Sequence, residues 1–440
     1  MEYMIRFTQT HETFRLAEIK SLAVLEGINL EVLSYSPSSP YCFVKLPSID
    51  AAIRLVRRSI LAKSVYEVWG CGSTYEDLHV NVRAISQHLW PVYKHSTFKF
   101  TIDSFQGSRS MAEQRKLIEG FRFIGLEGPI RMKGAEQEFC ISEEFQSNEV
   151  ALGMQQPHSV HLGRYLGGSD RDAILKYDLK KRKYICTTSM DAELSLVTAN
   201  IALAAPGKLF YDPFVGSGSF PVACAHFGAL AFGSDIDGRS IRGKDKVSLH
   251  ANFIQYGIAD KFGDSFVADL TNTPLRIARV FDGIVCDPPY GVREGLKVLG
   301  SRDPTKGKEV VFRDGIAHHL DESYIPPKKP YGFLAMLDDI LEFASQTLVE
   351  NGRLSFWMPT SNDHDQEIKV PEHPCLEITS VCTQTFNRWS RRLITYRRIP
   401  DSEVIEGPAR EQRVKESGVN ADDLNPFRKG YFKGFKTAFR

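Results

Sequence analysis

The first half of the chain carries apolar residues in patterns typical of short helices and strands. Residues 12–26 and 49–60 place them at a helical period. Residues 41–46 and 138–142 are short apolar runs, and residues 98–103 alternate apolar with polar side chains as a half-buried strand does. Because short strands with helices between them form small α+β units, the pattern predicts one or two such units with antiparallel strands.

From about residue 186, apolar strands alternate with helices in a regular order. Near-continuously apolar strands in this alternation are typical of a parallel sheet covered on both faces. The last two strands lie close together in the chain and predict an antiparallel hairpin at the edge of that sheet. The predicted strands are 207–212, 229–235, 265–269, 281–287, 353–359, 376–386 and 392–399, and the predicted helices are 191–204, 217–228, 238–256 and 332–349.

Two polar stretches interrupt this order. Residues 291–330 are dense in Gly, Pro and charged residues, and a loop of this length inside a compact domain is usually functional or disordered. Residues 401–424 mix acidic and basic residues with few apolar ones, which is typical of a linker. The predicted divisions are an α+β region at 1–170, a basic linker at 171–185, an α/β domain at 186–400, and a linker with a basic aromatic tail at 401–440.

The composition is that of a globular protein with a large apolar core. Hydrophobic residues make up 42% of the 440 positions and charged residues 25%, which excludes a disordered, collagen-like or coiled-coil chain. No apolar run approaches the roughly 20 residues of a membrane span, and the charged N-terminus lacks the apolar core of a signal peptide. The eight cysteines form no C-x-x-C pair, which argues for reduced thiols in a cytoplasmic protein.

Charge is balanced overall but concentrated locally. The net charge of +1, from 55 basic and 54 acidic residues, is no general signal for nucleic-acid binding. Residues 176–184 hold five Lys or Arg against one Asp, and residues 425–440 hold five Lys or Arg, five aromatic residues and no acid. Such segments either contact a nucleic acid or are simply solvated, and both interpretations are open.

A glycine-rich turn opens one of the predicted helices. Residues 209–220 read LFYDPFVGSGSF, so a strand ends at Asp212 and Gly216, Ser217 and Gly218 begin the next helix. Glycines let the backbone approach a ligand, and a helix N-terminus offers free N–H groups. The turn matches neither the dinucleotide motif nor a phosphate loop. By itself it is equally well explained as a tight strand–helix connection.

Acidic residues follow the next two strands. Asp235 ends one of them, where a carboxylate can accept hydrogen bonds from both hydroxyls of a ribose. Asp237 is an alternative, although its position is also typical of a helix cap. Asp269 ends the next strand and is placed to accept from an adenine amino group. Since open parallel sheets bind ligands at the carboxyl ends of their strands, Asp212, Asp235 and Asp269 together predict a nucleoside pocket.

A proline-rich turn follows the strand at 281–287. Asp287 closes the strand, and Pro288 and Pro289 hold the chain extended and lack N–H donors. The resulting edge of acceptors, the Asp287 carboxylate and the Pro288 carbonyl, suits an exocyclic amino group, and the Tyr290 ring offers a face on which a base can stack. Without the nucleoside pocket, these residues would be explained as a turn after a buried strand.

These motifs together resemble those of a known enzyme family. DPFVGSGS followed by DPPYG is similar to the S-adenosylmethionine-dependent amino-methyltransferases that modify exocyclic nitrogens of nucleobases. RKYICTTSMDAELSLVTANIAL resembles the segment before the glycine turn in transfer-RNA guanosine-10 N2-methyltransferases. FKFTIDSF, FRFIGLEGPIRMKGAEQEF and HLGRYLG resemble their THUMP-type RNA-binding region. The resemblance implies a Rossmann-like methyltransferase domain preceded by an α+β THUMP region.

The resemblance also implies a role for individual residues. Asp287, Pro288, Pro289 and Tyr290 hold the target guanine in this interpretation. Pro213 is a departure, because other methyltransferases carry a glycine soon after the first acid. The residues implied for S-adenosyl-L-methionine are Thr188 near the methionine part, Asp212, Gly216, Ser217 and Gly218 at the glycine turn, Asp235 on the ribose and Asp269 near the adenine.

Two macromolecular partners follow from the resemblance: tRNA and a small zinc-binding activator subunit that covers apolar surface of the methyltransferase domain. A guanine inside folded RNA must flip out to react, and residues 291–330 are placed to order over it. His318 and His319 are interpreted as exposed loop histidines, with no metal implied in this chain. Trp389 and the pair Arg391-Arg392, around the start of the last predicted strand, either face RNA or have a structural role.

Two other functions are compatible with the catalytic motif. The same four residues serve enzymes that methylate adenine in DNA or guanine in ribosomal RNA, and only the N-terminal half argues against these substrates. A non-catalytic RNA-binding scaffold that retains the fold is the second alternative. The complete sequence Asp287-Pro288-Pro289-Tyr290 argues against it.

Overall fold

A computed structural model shows the chain as two compact units, Met1–Arg171 and Asp172–Arg440. Among the described residues, no helix combines the length and the apolar character that crossing a bilayer requires. The described residues are 1–146, 156–243, 247–292, 295–300, 310–313, 315–320, 324, 326–362, 367–404 and 420–433.

The first unit contains a single seven-stranded sheet with helices packed against it. Its elements are β1 (Glu2–Phe7), α1 (Glu12–Glu26), β2 (Glu31–Tyr35), β3 (Tyr41–Lys45), α2 (Ile49–Arg57), β4 (Ala62–Gly72), α3 (Tyr75–Ser86), α4 (Trp90–Tyr93), β5 (Phe98–Phe105), α5 (Met111–Glu119), β6 (Gln137–Glu144) and β7 (Ser159–Gly168). The strands follow the order β2-β3-β1-β4-β7-β6-β5. Within the core, the rings of Trp69 and Phe139 have their centroids 4.8 Å apart.

One pair of strands in this sheet is parallel. β5 and β6 run in the same direction, with Phe98 opposite Gln137, whereas the other pairs are antiparallel. A parallel pair needs a crossover connection of about a dozen residues or more, and α5 lies in the connection between these two strands. The predicted antiparallel arrangement is therefore wrong for β5 and β6.

A buried carboxylate ties α1 to the residues that precede β4. Glu18 is fully buried and accepts hydrogen bonds from the Ser59 hydroxyl at 2.7 Å, the Ile60 N–H at 2.8 Å and the Leu61 N–H at 2.9 Å. Burial of a charged group is tolerated only where its oxygens find such donors. This contact fixes the helix against the start of the strand.

The second unit contains another seven-stranded sheet. Its elements are α6 (Asp172–Lys176), α7 (Ala192–Ile201), β8 (Leu209–Asp212), α8 (Ser219–His226), β9 (Leu230–Asp235), α9 (Gly238–Arg242), α10 (Leu249–Tyr256), β10 (Phe262–Val267), β11 (Phe281–Cys286), β12 (Lys297–Leu299), β13 (Phe312–Arg313), β14 (Ile316–Ala317), β15 (Lys328–Pro330), α11 (Phe333–Thr347), β16 (Leu348–Ser361), β17 (Leu376–Thr385), β18 (Trp389–Arg398) and α12 (Pro426–Lys433).

The strands of this sheet follow the order β10-β9-β8-β11-β16-β18-β17. Neighbouring strands from β10 to β16 pair in parallel, and β18 is antiparallel to both β16 and β17. The predicted parallel sheet with an antiparallel hairpin at its edge is confirmed.

Helices cover both faces of this sheet because its central strands bury side chains on both sides. In β16, Leu354, Phe356 and Met358 pack into one apolar cluster with residues of α11. From the opposite face, Trp357 donates a 3.3 Å hydrogen bond from Nε1 to the Thr198 hydroxyl on α7. Since successive side chains of a strand point to opposite faces, α7 and α11 lie on opposite sides of the sheet.

The long helix predicted at 238–256 is two helices, α9 and α10. Gly243 follows α9 with a φ of +62°, a conformation that favours glycine, and its N–H bonds to the Arg239 carbonyl at 2.9 Å. Residues 244–246 lie outside the described part of the chain. The strand predicted at 265–269 is β10, which ends at Val267, so Asp269 lies in the turn that follows it.

Residues predicted as a basic linker pack on the second unit. Tyr177 is buried, and its hydroxyl makes a 3.1 Å hydrogen bond with His226 Nδ1. Arg182, from the basic run, is also buried and donates a 3.1 Å hydrogen bond to the Ser219 hydroxyl. A solvated linker would leave both side chains exposed, so this part of the segment has a structural role.

The polar stretch at 291–330 contains regular structure where it is described. β12 pairs with β15, and β13 with β14, both antiparallel. His318 and His319 lie in a short 3-10 turn, and the His318 ring packs on Tyr324 at 5.1 Å. Residues 301–309 and most of the predicted linker, 405–419, lie outside the described residues. The basic aromatic tail begins in α12.

Candidate active site

A cavity of about 920 Å³ lies at the carboxyl ends of β8, β9 and β11. This is the edge at which open α/β sheets bind ligands, and the volume is near the upper end of the about 300–1,000 Å³ typical of small-molecule sites. The predicted site residues that line it are Thr188, Asp212, Gly216, Ser217, Asp235, Asp269, Asp287, Pro288, Pro289 and Tyr290.

The two glycines of the turn after β8 have different structural roles. Gly216 has a φ of +48° and lines the cavity, and a Cβ there would meet only the Phe214 carbonyl oxygen within 4 Å. Gly218 precedes α8 with a φ of +82° and is not among the lining residues. A Cβ on Gly218 would overlap the Leu249 side chain. Gly218 therefore serves packing, whereas Gly216 leaves room for a ligand.

Asp235 connects the end of β9 to the glycine turn. Its Oδ2 accepts a 3.0 Å hydrogen bond from the Gly216 N–H, and its Oδ1 accepts a 2.8 Å bond from the Asp237 N–H. Asp237 caps α9 by accepting from the Arg239 N–H. The geometry thus gives the two acids different roles: Asp235 lines the cavity, and Asp237 caps the N-terminus of α9.

Four carboxylates, those of Asp212, Asp235, Asp269 and Asp287, line the cavity and give it an acidic character. Asp212 is buried and accepts a 2.9 Å hydrogen bond from the Phe214 N–H. Burial raises the pKa of Asp212 well above its usual value, and the negative charges of Asp235 and Asp287 add to the effect. Burial also raises the pKa of Asp235, against the opposing backbone hydrogen bonds. Such a site favours a ligand that brings positive charge and hydrogen-bond donors.

Asp269 joins the turn after β10 to the polar insertion. Its Oδ1 accepts from the Thr271 N–H at 2.9 Å, and its Oδ2 accepts from the Leu299 N–H of β12 at 2.6 Å. Lys297 and Val298 of the same strand line the cavity. The described part of the insertion therefore contributes a wall of the site.

The segment before α7 is held against the glycine turn by hydroxyl groups. Ser189, next to Thr188, makes a 2.6 Å hydrogen bond with the Ser217 hydroxyl and accepts a 2.8 Å bond from the Cys186 N–H. On the other side, buried Asn252 donates a 3.1 Å bond to the Ser217 carbonyl. Sequence reasoning named Thr188 from this segment but not the neighbouring Ser189, and it missed Asn252 because that residue belongs to no motif.

The turn after β11 presents acceptors that lack partners. Asp287 Oδ1 and the Tyr290 hydroxyl are fully buried, and neither makes a hydrogen bond within the described structure. Burial raises the pKa of Asp287 to about 6, opposed by the neighbouring Tyr290 hydroxyl and Arg391 guanidinium. Pro288 is buried and Pro289 exposed. A buried acceptor without a donor is costly, which indicates that a ligand donates to Asp287.

Aromatic residues from two distant parts of the chain, Trp389 and α12, lie beside this turn. The Trp389 ring lies edge-on to Tyr290 and to Phe427 of α12, with centroid distances of 6.4 and 5.9 Å. Phe427, Tyr431 and Phe432 of α12 line the cavity. Trp389 therefore faces the site. Sequence reasoning predicted the aromatic tail as a separate segment and missed its place in this wall.

Comparison with protein families matches both units. The model described as "Tmrp11 THUMP N-terminal domain" matches residues 1–171, and the model described as "RMKL-like, methyltransferase domain" matches residues 180–299. The tRNA (guanine(10)-N(2))-methyltransferase of Saccharomyces cerevisiae is 44% identical over 440 residues, covering 99% of each chain. The chain belongs to the tRNA (guanine(10)-N(2))-methyltransferase family. Enzymes of the same name from Schizosaccharomyces pombe and Homo sapiens are 37% and 33% identical, over 90% and 98% of this chain and 90% and 95% of theirs.

Membership in this methyltransferase family confirms the resemblance and the fold class stated from the sequence. The matched methyltransferase domain includes the glycine turn, the acids that follow β9 and β10, and the whole Asp287–Tyr290 turn. α12 and Trp389 lie beyond the matched range, so their contribution to the cavity rests on the structure alone.

Proposed function

We propose that this chain transfers a methyl group from S-adenosyl-L-methionine to the exocyclic N2 of guanosine 10 in tRNA, in the cytoplasm. The observation that carries the proposal is the unpartnered Asp287 Oδ1, on a residue that lines the same cavity as Gly216 and Asp235. The base and its position are taken from the names of the relatives that match nearly the whole chain.

The residues of the glycine-turn part of the cavity fit the cofactor. S-adenosylmethionine, when bound, supplies a methyl group on a positively charged sulfur. Asp235 keeps a second lone pair on each carboxylate oxygen for ribose hydroxyls, because its two backbone bonds use one each. Open space above Gly216 admits the ligand, and the acidic walls favour its positive charge. Thr188 borders the methionine part in this proposal, and Asp269 the adenine.

The turn after β11 holds the target amine. The N2 lone pair of guanine is delocalised into the ring, so N2 is a weak nucleophile that must be oriented. Asp287 and the Pro288 carbonyl accept its two N–H bonds, and Tyr290 supports the face of the base. The Asp287 carboxylate also stabilises the positive charge that develops on N2, and the proton leaves after attack.

The substrate is an RNA in this proposal because the first unit matches a THUMP family model. A guanine amine in folded RNA is accessible only after base flipping or local opening, at a cost of a few kcal/mol. Contacts between the first unit and the tRNA body offset that cost. The exposed lysines of the basic run 176–184 (Lys176, Lys180, Lys181 and Lys183) add phosphate contacts.

We also propose that a small zinc-binding activator subunit binds the methyltransferase domain, as the family resemblance implies. Exposed apolar side chains on neighbouring elements support a partner there: Leu230 on β9, Ile254 on α10 and Val267 on β10, the last at the edge of the sheet. Val267→Asp and Ile254→Asp are expected to release a co-purifying zinc-containing subunit. Retention of that subunit by both variants would place its binding surface elsewhere.

The proposed function is tested by methyl transfer from labelled S-adenosylmethionine to separate pools of tRNA, ribosomal RNA and DNA. We expect incorporation into tRNA, with N2-methylguanosine at position 10, and none when Asp287→Ala replaces the native chain. tRNA from cells lacking the protein should lose the same modification. Methyl incorporation only into ribosomal RNA or DNA would support those alternative substrates. If no pool is methylated even when the co-purifying subunit is present, the result would support a non-catalytic RNA-binding scaffold.

A further inference from the structure

Two aromatic side chains of α12 are exposed on the wall of the cavity. Tyr431 is 42% and Phe432 60% exposed, and both line the cavity. Exposed aromatic rings on a concave surface leave apolar area in contact with water, and a ligand that covers them removes that unfavourable contact. The core of the unit does not need these rings, because Phe427 and Leu424 already anchor the segment. The position of these two exposed rings therefore indicates that a ligand binds against them.

The segment that carries these rings is fastened to the catalytic turn. Asn425 donates to the Tyr290 carbonyl at 2.8 Å, and Arg428 donates to the carbonyls of Gly291, at 3.0 Å, and Val292. The Phe333 N–H bonds to the Leu424 carbonyl at 2.9 Å. These hydrogen bonds fix α12 beside Tyr290, so its rings are positioned relative to Asp287 rather than placed at random.

The rings continue the aromatic surface that begins at Tyr290. Trp389 lies edge-on to Tyr290, and the Tyr431 ring lies edge-on to Trp389 at 6.4 Å. Phe432 adjoins Tyr431 at 5.5 Å and carries the Arg428 guanidinium over its ring at 4.9 Å. These rings meet edge-on rather than in one plane, and the Arg428 guanidinium over Phe432 is also paired with Asp422 at 2.8 Å. The exposed face of each ring is a surface on which a nucleobase stacks.

We infer that the segment 420–433 forms the outer wall of the target-base pocket, and that Tyr431 and Phe432 stack on the extruded purine or its neighbour in the tRNA. This inference rests on the proposed function, because the occupant is the base whose amine meets Asp287. The cavity that holds Asp235 and Asp287 also includes this wall, so a ligand at Asp287 and a base on Tyr431 share one continuous space.

The test compares Tyr431→Ala and Phe432→Ala with the conservative Tyr431→Phe. Ile277→Ala is the matched control, since Ile277 is 67% exposed and precedes β11, at the opposite end of that strand from Asp287. Each full-length variant is assayed for kcat and KM with tRNA and for affinity toward S-adenosylhomocysteine. A tRNA transcript with 2-aminopurine at position 10 retains the 2-amino group and reports stacking through its fluorescence.

We expect Tyr431→Ala or Phe432→Ala to lower kcat/KM for tRNA about ten-fold and to raise the emission of the bound 2-aminopurine. Ile277→Ala should match the native chain, Tyr431→Phe should retain clearly more activity than Tyr431→Ala because it keeps the ring, and affinity for S-adenosylhomocysteine should change less than two-fold in all. Native kcat/KM and native emission in both alanine variants would overturn the inference and leave the proposed function standing. If the native chain methylates no tRNA, the proposed function fails. In that case the fluorescence still tests the inference, because identical 2-aminopurine emission in the native and variant complexes would overturn it.

Discussion

The side-chain amide of Asn425 donates a 2.8 Å hydrogen bond to the backbone carbonyl of Tyr290, 135 residues earlier in the chain. The carbonyl oxygen of the same amide accepts a 3.0 Å bond from the Arg428 N–H in the first turn of α12. Asn425 is buried, so both bonds form away from bulk water. One side chain thus joins the Asp287–Tyr290 turn to the C-terminal segment, as donor to the first and acceptor for the second.

Asn425→Asp separates these two roles. The carboxylate still accepts from the Arg428 N–H, but it repels the Tyr290 carbonyl to which the amide donated. We expect kcat to fall at least ten-fold with KM for S-adenosylmethionine within two-fold, because the turn is displaced while the cofactor residues are not. Asn351→Asp adds the same charge at an exposed position of β16 and should leave both constants unchanged. A native kcat in Asn425→Asp would show that the turn keeps its position without this bond.

Activity should depend on the ionisation of Asp287. Burial raises its pKa to about 6, so the acceptor carboxylate is lost as the pH falls through that value. We expect kcat/KM for tRNA to decrease below about pH 6. Asp287→Asn should be slower and lack this acidic limb, and Asp287→Ala should abolish turnover with affinity for S-adenosylhomocysteine within a few-fold of native. An identical pH profile in Asp287→Asn would assign the limb to another group.

The same carboxylate should destabilise the folded chain at neutral pH. Its folded pKa of about 6 lies above the unfolded value of about 3.9, so this group costs no stability below about pH 4, and its cost grows as the pH rises through 6. Two pKa units correspond to about 3 kcal/mol at most. Asp287→Asn removes this penalty and is expected to raise Tm more at pH 7.5 than at pH 4.5, measured without ligand. An equal shift at both pH values would contradict the argument.

Gly216→Ala and Gly218→Ala form a matched pair. Both place alanine at positive φ, which costs about 1–2 kcal/mol. Gly218→Ala also drives a Cβ into Leu249 and should lose about 2–4 kcal/mol in all, whereas a Cβ on Gly216 enters open cavity. Denaturant unfolding should show the larger loss for Gly218→Ala. Calorimetric binding of S-adenosylhomocysteine should show the larger loss for Gly216→Ala, and the reverse ranking would count against the assigned roles.

Glu18 should be essential to the stability of the first unit. Glu18→Ala leaves the Ser59 hydroxyl and the Ile60 and Leu61 N–H groups buried without an acceptor, and each such group costs about 1–3 kcal/mol. We expect a loss of at least 3 kcal/mol in the free energy of unfolding, with a smaller loss for Glu18→Gln, which keeps one acceptor. Loss below 1 kcal/mol in Glu18→Ala would mean that water replaces the carboxylate.

Much of the second unit could be predicted from the sequence because its signals are local. The alternation of apolar strands with helices predicted the sheet, and β8 and β11 end at Asp212 and next to Asp287 as expected. The errors have local causes too. The long helix at 238–256 was predicted without weighing Gly243, whose positive φ separates α9 from α10. β5 and β6 were predicted antiparallel, although the α5 crossover lets them run parallel.

The sequence by itself determined the chemistry of the candidate site, because strand ends, glycine turns and a proline-rich turn are each specified by a few consecutive residues. Only the tertiary structure decided which of these residues share a cavity. It assigned Gly218 to packing against Leu249 and Asp237 to capping α9. It also brought α12 and Trp389 beside Tyr290. Contacts between residues more than a hundred positions apart depend on how the whole core packs, and no periodicity or motif along the chain encodes them.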